Sequence, residues 1–341
     1  MRNPNPECSI AAVYTLGVGA TRVRLPALRP IQTFSMTKIY YKAVREHRLV
    51  ELADFKVGSW IYAENPTQDE LDSLARNLSL NRDLLGDSID PYEVPRVERD
   101  NAITYVFTRV PHAEALQTTT TPLLIAIGAD FVLTVSRSPL PFLTKFQEEK
   151  IEFYTTQKTK FFLQLFSEIN NIYAFFVNDI ARKVRSITVR LESIGNKEVK
   201  QFVVFESSLN DFLAALIPMN TSLSNLLSGK FLQLYEQDHE LVQDLVLSNH
   251  QLVELCQSNM KSIGNIREGY SAILTNELSR VIKFLTSLTV ILTIPITITA
   301  FYSMNVRLPF GESPVAFYTI VSAVLLIALT LLVVFFKKRW L

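Results

Sequence analysis

The sequence is poor in the groups that enzymes most often use. Its 341 residues include two cysteines and four histidines. Cys8 and Cys256 stand alone, with neither disulfide nor metal-ligand spacing, and the histidines form no zinc constellation. No nucleophile has a paired histidine and no glycine-rich loop is placed to cradle phosphate, so the chain is read as a non-enzyme. Two isolated cysteines fit a reducing compartment. The formal net charge is only +1, and nucleic acid is not an expected partner.

Charge is missing altogether from two stretches near the C-terminus, 284–306 and 314–336, joined by residues 307–313. At a rise of about 1.5 Å per residue each is long enough to cross a hydrocarbon core of roughly 30 Å. The mean composition, 48% hydrophobic, hides this because a large polar part dilutes two very apolar segments. Arg280 and Lys283 precede the first stretch and Lys337, Lys338 and Arg339 follow the second, whereas the connection carries Arg307 and Glu312. The positive-inside rule then places both termini in the cytoplasm and the protein in the cell (inner) membrane. Residues 1–35 are too weakly apolar and too rich in proline for a signal peptide. They are expected to form a disordered leader, an artefact of an upstream start with Met36 as the working initiator, which N-terminal sequencing of the native protein tests.

Residues 36–140 read as an α/β domain. Short β-type runs at 38–44, 49–53, 59–63, 102–110, 122–127 and 131–136 alternate with turn signals, and Gly128-Ala129-Asp130 marks a hairpin. Thr67 and Glu70 have the spacing of a capping box that opens a helix to Leu78. Residues 141–283 change to helical periodicity, with expected helices at 143–194, 197–227 and from Lys230 into the first span. No proline lies between Pro218 and Pro295, which allows one helix on the order of 100 Å that must pack against neighbours or copies of itself.

Two spans cannot enclose an aqueous path, so several subunits are expected around one axis. At 100° per residue Ser279, Thr286, Thr289, Thr293 and Thr297 fall within about 80° of one another. This stripe either lines a pore or bonds its own i−4 carbonyls in a packed bundle. The same face carries Glu268, which is either an acidic ring at the inner mouth or a solvated stalk charge paired with Lys261 or Arg267. The first span ends in Tyr302-Ser303-Met304-Asn305, where the Asn305 carbonyl and unpaired backbone carbonyls could hold a hydrated hard cation such as magnesium.

Three pieces of the chain, in order, resemble the CorA-type magnesium and divalent-cation transporters. They are 60–71, a tryptophan strand leading into a capped helix; 276–283, the junction of stalk and span; and Tyr302-Ser303-Met304-Asn305, similar to the family's Tyr-Gly-Met-Asn signature. The resemblance implies an α+β membrane protein: a cytosolic N-terminal α/β domain, a long helical stalk and two C-terminal transmembrane helices in a homopentameric funnel surrounded by lipid. It implies Asn305 as the outer ring, Ser279, Leu285 and Glu268 at pore or inner-mouth positions, and a regulatory magnesium site that uses Asp87 and Asp244, whose plain reading is surface carboxylate. It further implies magnesium uptake driven by membrane potential and gated by cytosolic magnesium. Zinc, or cobalt, on the same scaffold is the alternative cargo. A non-conducting membrane-anchored sensor or scaffold is the alternative of another class. Ser303 departs from the signature glycine, which allows close backbone packing at the turn: serine is either tolerated there, or narrows the mouth, or marks a divergent member with altered ion preference or no conduction.

Overall fold

The computed structural model describes residues 37–46, 48–113, 117–189, 194–304, 315–338 and 340. The expected leader and Met36 lie outside them. Two compact units are present: the first holds the described residues up to Glu93 with Glu98–Tyr105 and Leu123–Phe161, and the second holds Val94–Val97, Val106–Pro122 and the residues from Phe162 onward.

Seven strands form one sheet: β1 Thr37–Tyr41, β2 Val50–Leu52, β3 Ser59–Glu64, β4 Arg96–Asp100, β5 Ile103–Ala113, β6 Thr118–Ile127 and β7 Phe131–Ser136, in the order β2-β1-β3-β7-β6-β5-β4. β3 and β7 run parallel, with Ser59 opposite Phe131 and Ala63 opposite Val135, while β1 and β6 flank them antiparallel. The central strands are buried at consecutive positions, the pattern of strands covered on both faces. The β6–β7 turn requires glycine: a Cβ on Gly128 would approach the Phe131 ring to 2.6 Å.

In the first unit Trp60 is fully buried and its Nε1 donates to Thr134 Oγ1 at 2.9 Å. Tyr40, Tyr62, Phe146, Phe153 and Phe161 ring it at centroid distances of 5.1, 6.2, 6.5, 6.2 and 5.2 Å. Helix α1, Gln68–Leu78, starts at the expected capping box: Glu70 N donates to Thr67 Oγ1 and Thr67 N donates to Glu70 Oε2 at 2.8 Å.

Two elements escaped the sequence reading because each is short and polar. Helix α2, Arg82–Asp87, is opened by Asn81, whose Oδ1 accepts from Asp83 and Leu84 and whose Nδ2 donates to Asp100. Strand β4 is an edge strand of mixed charge, and a two-residue turn, Asn101-Ala102, with φ of 47° and 68°, joins it to β5. Two central residues of positive φ define a type I′ turn, where glycine is favoured at the second position. Alanine in the left-handed region costs roughly 1–2 kcal/mol. Ala102→Gly is therefore expected to stabilise the protein by about 1 kcal/mol, net of the greater unfolded-state freedom of glycine, read as a higher urea midpoint with unchanged slope.

The helix expected over 143–194 is broken. Helix α3, Leu143–Gln147, closes in a Schellman motif: Glu149 has φ 56°, Lys150 N donates to Lys145 O and Glu149 N donates to Phe146 O. A glycine normally marks that position and none does here. Glu149 is held there by tertiary contacts: it accepts from Lys42 Nζ at 2.7 Å and from Leu49 N at 2.8 Å, and the lysine bond lowers its carboxyl below the ordinary range. The break lets Phe153 turn in against Trp60.

The second unit is built on α4, Lys158–Thr188, α5, Asn196–Leu226, and α6, Glu236–Tyr302, followed by α7, Ala316–Lys337. Tyr173 of α4 packs on Phe212 of α5 at 5.5 Å. The buried positions of α6, Val242, Leu245, Asn249, Leu252, Cys256, Ile263 and Ile266, recur at heptad spacing, and Asn249 Nδ2 donates to Leu216 O of α5 at 2.8 Å. The long helix therefore has the neighbour its length required. Burial pushes the Cys256 thiol up to about 12, which leaves it protonated and unreactive at neutral pH. α6 starts at Glu236, not Lys230, with Tyr235 N donating to Asp238 Oδ2 at 3.2 Å. Its 67 residues extend roughly 100 Å.

Candidate functional site

Three helices among the described residues are long and apolar enough to cross a membrane: α5, α6 and α7. Burial separates them. The apolar stretch of α5 is 39% buried inside the protein, whereas those of α6 and α7 are 6% and 0% buried. A substantial part of the apolar surface of α5 is spent on packing, whereas the apolar stretches of α6 and α7 are almost wholly left uncovered within the chain.

α6 and α7 pack against each other along matching stripes. On α6, Ser287 is fully buried, and Val290, Ile291, Ile294, Pro295 and Ile298 are half-buried. On α7 the half-buried positions are Ile320, Val324, Ala328, Leu331 and Phe335, at three- and four-residue spacing. The hydroxyl stripe is elsewhere. Thr286, Thr289, Thr293 and Thr297 are exposed and Ser279 is half-exposed, and on a helical wheel their centre lies roughly 110° from the face that α7 covers. Leu285 is 60% exposed beside them.

Local bonding of the hydroxyls is mixed. Thr289 Oγ1 donates to Leu285 O and Thr297 Oγ1 to Thr293 O, each at 2.8 Å, so two of the five turn back onto their own helix. Off the stripe, Thr299 Oγ1 donates to Pro295 O at 3.0 Å and Ser287 Oγ to Lys283 O at 2.8 Å. Such i−4 bonds leave the hydroxyl's lone pairs available as acceptors.

α6 ends at Tyr302. Ser303 has φ −87° and ψ −3°, its N donates to Thr299 O at 3.0 Å, and its Oγ donates to Ala300 O at 2.8 Å. That backbone conformation suits any L-residue, so serine is unstrained here and adds a cap to the helix end. Tyr302, Ser303 and Met304 are exposed, and Asn305 lies outside the described residues, as does the connection at 307–313.

Glu268 is exposed on α6, and its expected neighbour Arg267 turns instead to Glu206 of α5 at 3.1 Å. Asp244 is exposed on α6 in the second unit, and Asp87, half-buried, is the last residue of α2 in the first. Among the described residues no three His, Cys, Asp or Glu side chains gather to hold a metal ion. The described residues of the expected site are therefore spread along α6, except Asp87, which lies on α2. Sequence reasoning recovered the stripe but not the α7-facing seam, whose only signal was apolar periodicity common to both flanks of a span.

A long helix that packs on α5 and then runs on into an uncovered apolar stretch, with a second apolar helix packed beside that stretch, defines a stalked helical protein with apolar C-terminal helices long enough to cross a membrane. The CorA-like Mg2+ transporter protein family matches residues 55–338. The chain belongs to that family of divalent-cation transporters. A relative, the cobalt/magnesium transport protein CorA of Methanocaldococcus jannaschii, is 22% identical over 293 residues, covering 82% of this chain and 90% of that protein. The complete structure of the CorA magnesium transporter from the same organism superposes with a TM-score of 0.80 at 19% identity, over 91% of this chain and 100% of that one. Full-length CmaX superposes at 0.71 with 13% identity, over 88% of this chain and 99% of that one. The cytoplasmic domain of ZntB from Vibrio parahaemolyticus does so at 0.58 with 9% identity, over 70% of this chain and 98% of that one. These likenesses establish the fold.

Proposed function

We propose that the chain assembles as a homopentameric channel that takes up magnesium across the cell membrane, with both termini in the cytoplasm. The observation that carries this reading is the hydroxyl stripe of α6, left uncovered by α7. Lipid would leave those hydroxyls nothing to do beyond back-bonding. Repeated about an axis, they surround a polar path. In this reading 36–140 is the cytosolic α/β domain, 141–283 the bundle and stalk, 284–306 the pore-lining span, 307–313 the external connection, 314–336 the outer span, and 337–341 a basic cytosolic tail.

Each position then has a task. Asn305, beside Tyr302, Ser303 and Met304, rings the entrance with neutral oxygens that bond the water shell of an ion reluctant to dehydrate. Leu285 is a ring of apolar side chains able to gate by dewetting, with Ser279 near it and Glu268 as an acidic ring at the inner mouth. Asp87 and Asp244 serve as the magnesium sensor between subunits: occupied, they bridge carboxylates; empty, they repel and the stalks part. The driving force is the membrane potential, about 4.6 kcal/mol per 100 mV for two charges.

The test is flux into liposomes under an inside-negative potential. Magnesium is expected to enter and to be competed by cobalt, the other ion in the name of the Methanocaldococcus jannaschii relative. Flux of zinc in preference to magnesium would reassign the cargo. A wild-type protein moving no divalent ion would end the channel reading and leave a membrane-anchored sensor.

A further inference from the structure

The wheel that separates the hydroxyl stripe from the α7 seam also places the basic residues at the foot of the spans. Lys283 and Arg280 lie on the side of α6 that α7 covers, one and two turns beyond the buried Ser287 respectively. On α7, Lys338 continues the packed stripe one turn past Phe335, with Lys337 beside it. The stripe of α6 that packs on α7 ends inward at Ser287 and the matching stripe of α7 at Phe335, so Arg280 and Lys283 of the one helix and Lys337 and Lys338 of the other follow the inner end of the same seam. All four cations are exposed, and among the described residues none of them has an ion pair. The Trp340 ring lies stacked on Phe335 at 5.7 Å and 16°, and Trp340 N donates to Phe335 O at 3.0 Å, which fixes an indole beside the cations.

Four like charges gathered at the end of an apolar seam repel one another unless an anion joins them. They also flank lipid-length apolar surface: Phe336 of α7 is 72% exposed and Val333 55%. Cations at the interface, an indole at headgroup depth and apolar helix beyond it match the three parts of a phospholipid. We propose that the inner end of the α6–α7 seam is a binding site for an anionic phospholipid, with Arg280, Lys283, Lys337 and Lys338 holding its phosphate region and Trp340 its glycerol backbone. The site rests on the membrane topology proposed above. Arg280 lies on the flank of α6 away from the hydroxyl stripe and Lys283 between the stripe and the seam, so the lipid holds the outer span against the pore helix from the side of the seam.

Full-length protein purified in a neutral detergent and examined by native mass spectrometry tests this, with phosphatidylglycerol and phosphatidylcholine as the added lipids. The wild type is expected to retain phosphatidylglycerol at least ten-fold more tightly. Each cation exchanged for glutamine should weaken retention roughly five-fold, so the quadruple variant Arg280→Gln, Lys283→Gln, Lys337→Gln, Lys338→Gln should show no preference between the lipids. Equal retention of both lipids by the wild type overturns the proposal. So does an undiminished preference in the quadruple variant or, should that variant not fold, in both paired variants, Arg280→Gln with Lys283→Gln and Lys337→Gln with Lys338→Gln. The readout needs no ion flux: a protein that conducts yet shows no lipid preference refutes the lipid site alone, and one that binds lipid yet conducts nothing refutes the channel alone.

Discussion

Divalent-cation uptake is expected to fall at least ten-fold when Asn305 is replaced by alanine, with the amount of folded protein in the membrane unchanged. The position follows directly on the end of α6, where Ser303 and Met304 turn back onto Thr299, Ala300 and Phe301 and close the last turn. An asparagine next in the chain supplies an amide oxygen able to bond a coordinated water. Each such bond is worth about 1 kcal/mol, and an entrance built from several copies loses one per subunit. A ten-fold loss requires only about 1.4 kcal/mol in total. Alanine removes the acceptor without crowding the turn, so no loss of folding accompanies the loss of flux. Uptake into proteoliposomes, normalised to reconstituted protein, measures the effect. Undiminished uptake would remove Asn305 from the path. If the wild type too conducted nothing, the spans would be anchors.

Trp60→Ala has the largest expected effect on stability, about 3–5 kcal/mol. The indole is fully buried and touches aromatic rings from β1, β3, α3, the α3–α4 link and α4. Deleting it leaves a cavity among rigid rings that cannot collapse, and takes from Thr134 Oγ1 its donor, leaving that hydroxyl only its long bond to Ile61 O at 3.4 Å. Trp60→Phe retains most of the volume and loses the 2.9 Å bond to Thr134, so it should cost about 1–2 kcal/mol. Urea unfolding monitored by the loss of β-sheet circular dichroism separates the two. A cost below 1 kcal/mol for alanine would mean that the aromatic cluster is not the core of this unit. The same cluster explains the Schellman turn at Glu149: an uninterrupted helix from Leu143 would carry Phe153 past the indole instead of against it.

How far the molecule could be read from its residues depended on the range of the interactions involved. The capping box at Thr67 and Glu70, the Gly128 hairpin, α5 and the two apolar helices are each written in a window of a few residues or in one helical period, and all stand where they were expected. α2 and β4 are short, polar and ordered by bonds from Asn81 to Asp100 and Tyr105, which no local pattern announces. The break after α3 fell where Glu149 meets Lys42, a residue 107 positions away.

The candidate site divides in the same way. The five hydroxyls share a face because a helix has a fixed angle per residue, and that much the sequence determined by itself, together with two spans, a long stalk and a polar signature after Tyr302. Only the tertiary structure decided which face of α6 is covered by α7, that Ser303 takes a right-handed conformation in which its side chain costs nothing, that Arg267 turns to Glu206 and not to Glu268, and that the stalk packs on α5 through a heptad seam. Periodicity states which residues lie together on a helix. Which neighbour takes that side is set by packing between elements distant in the chain, and that choice separates the exposed hydroxyl flank of α6 from the flank that α7 covers.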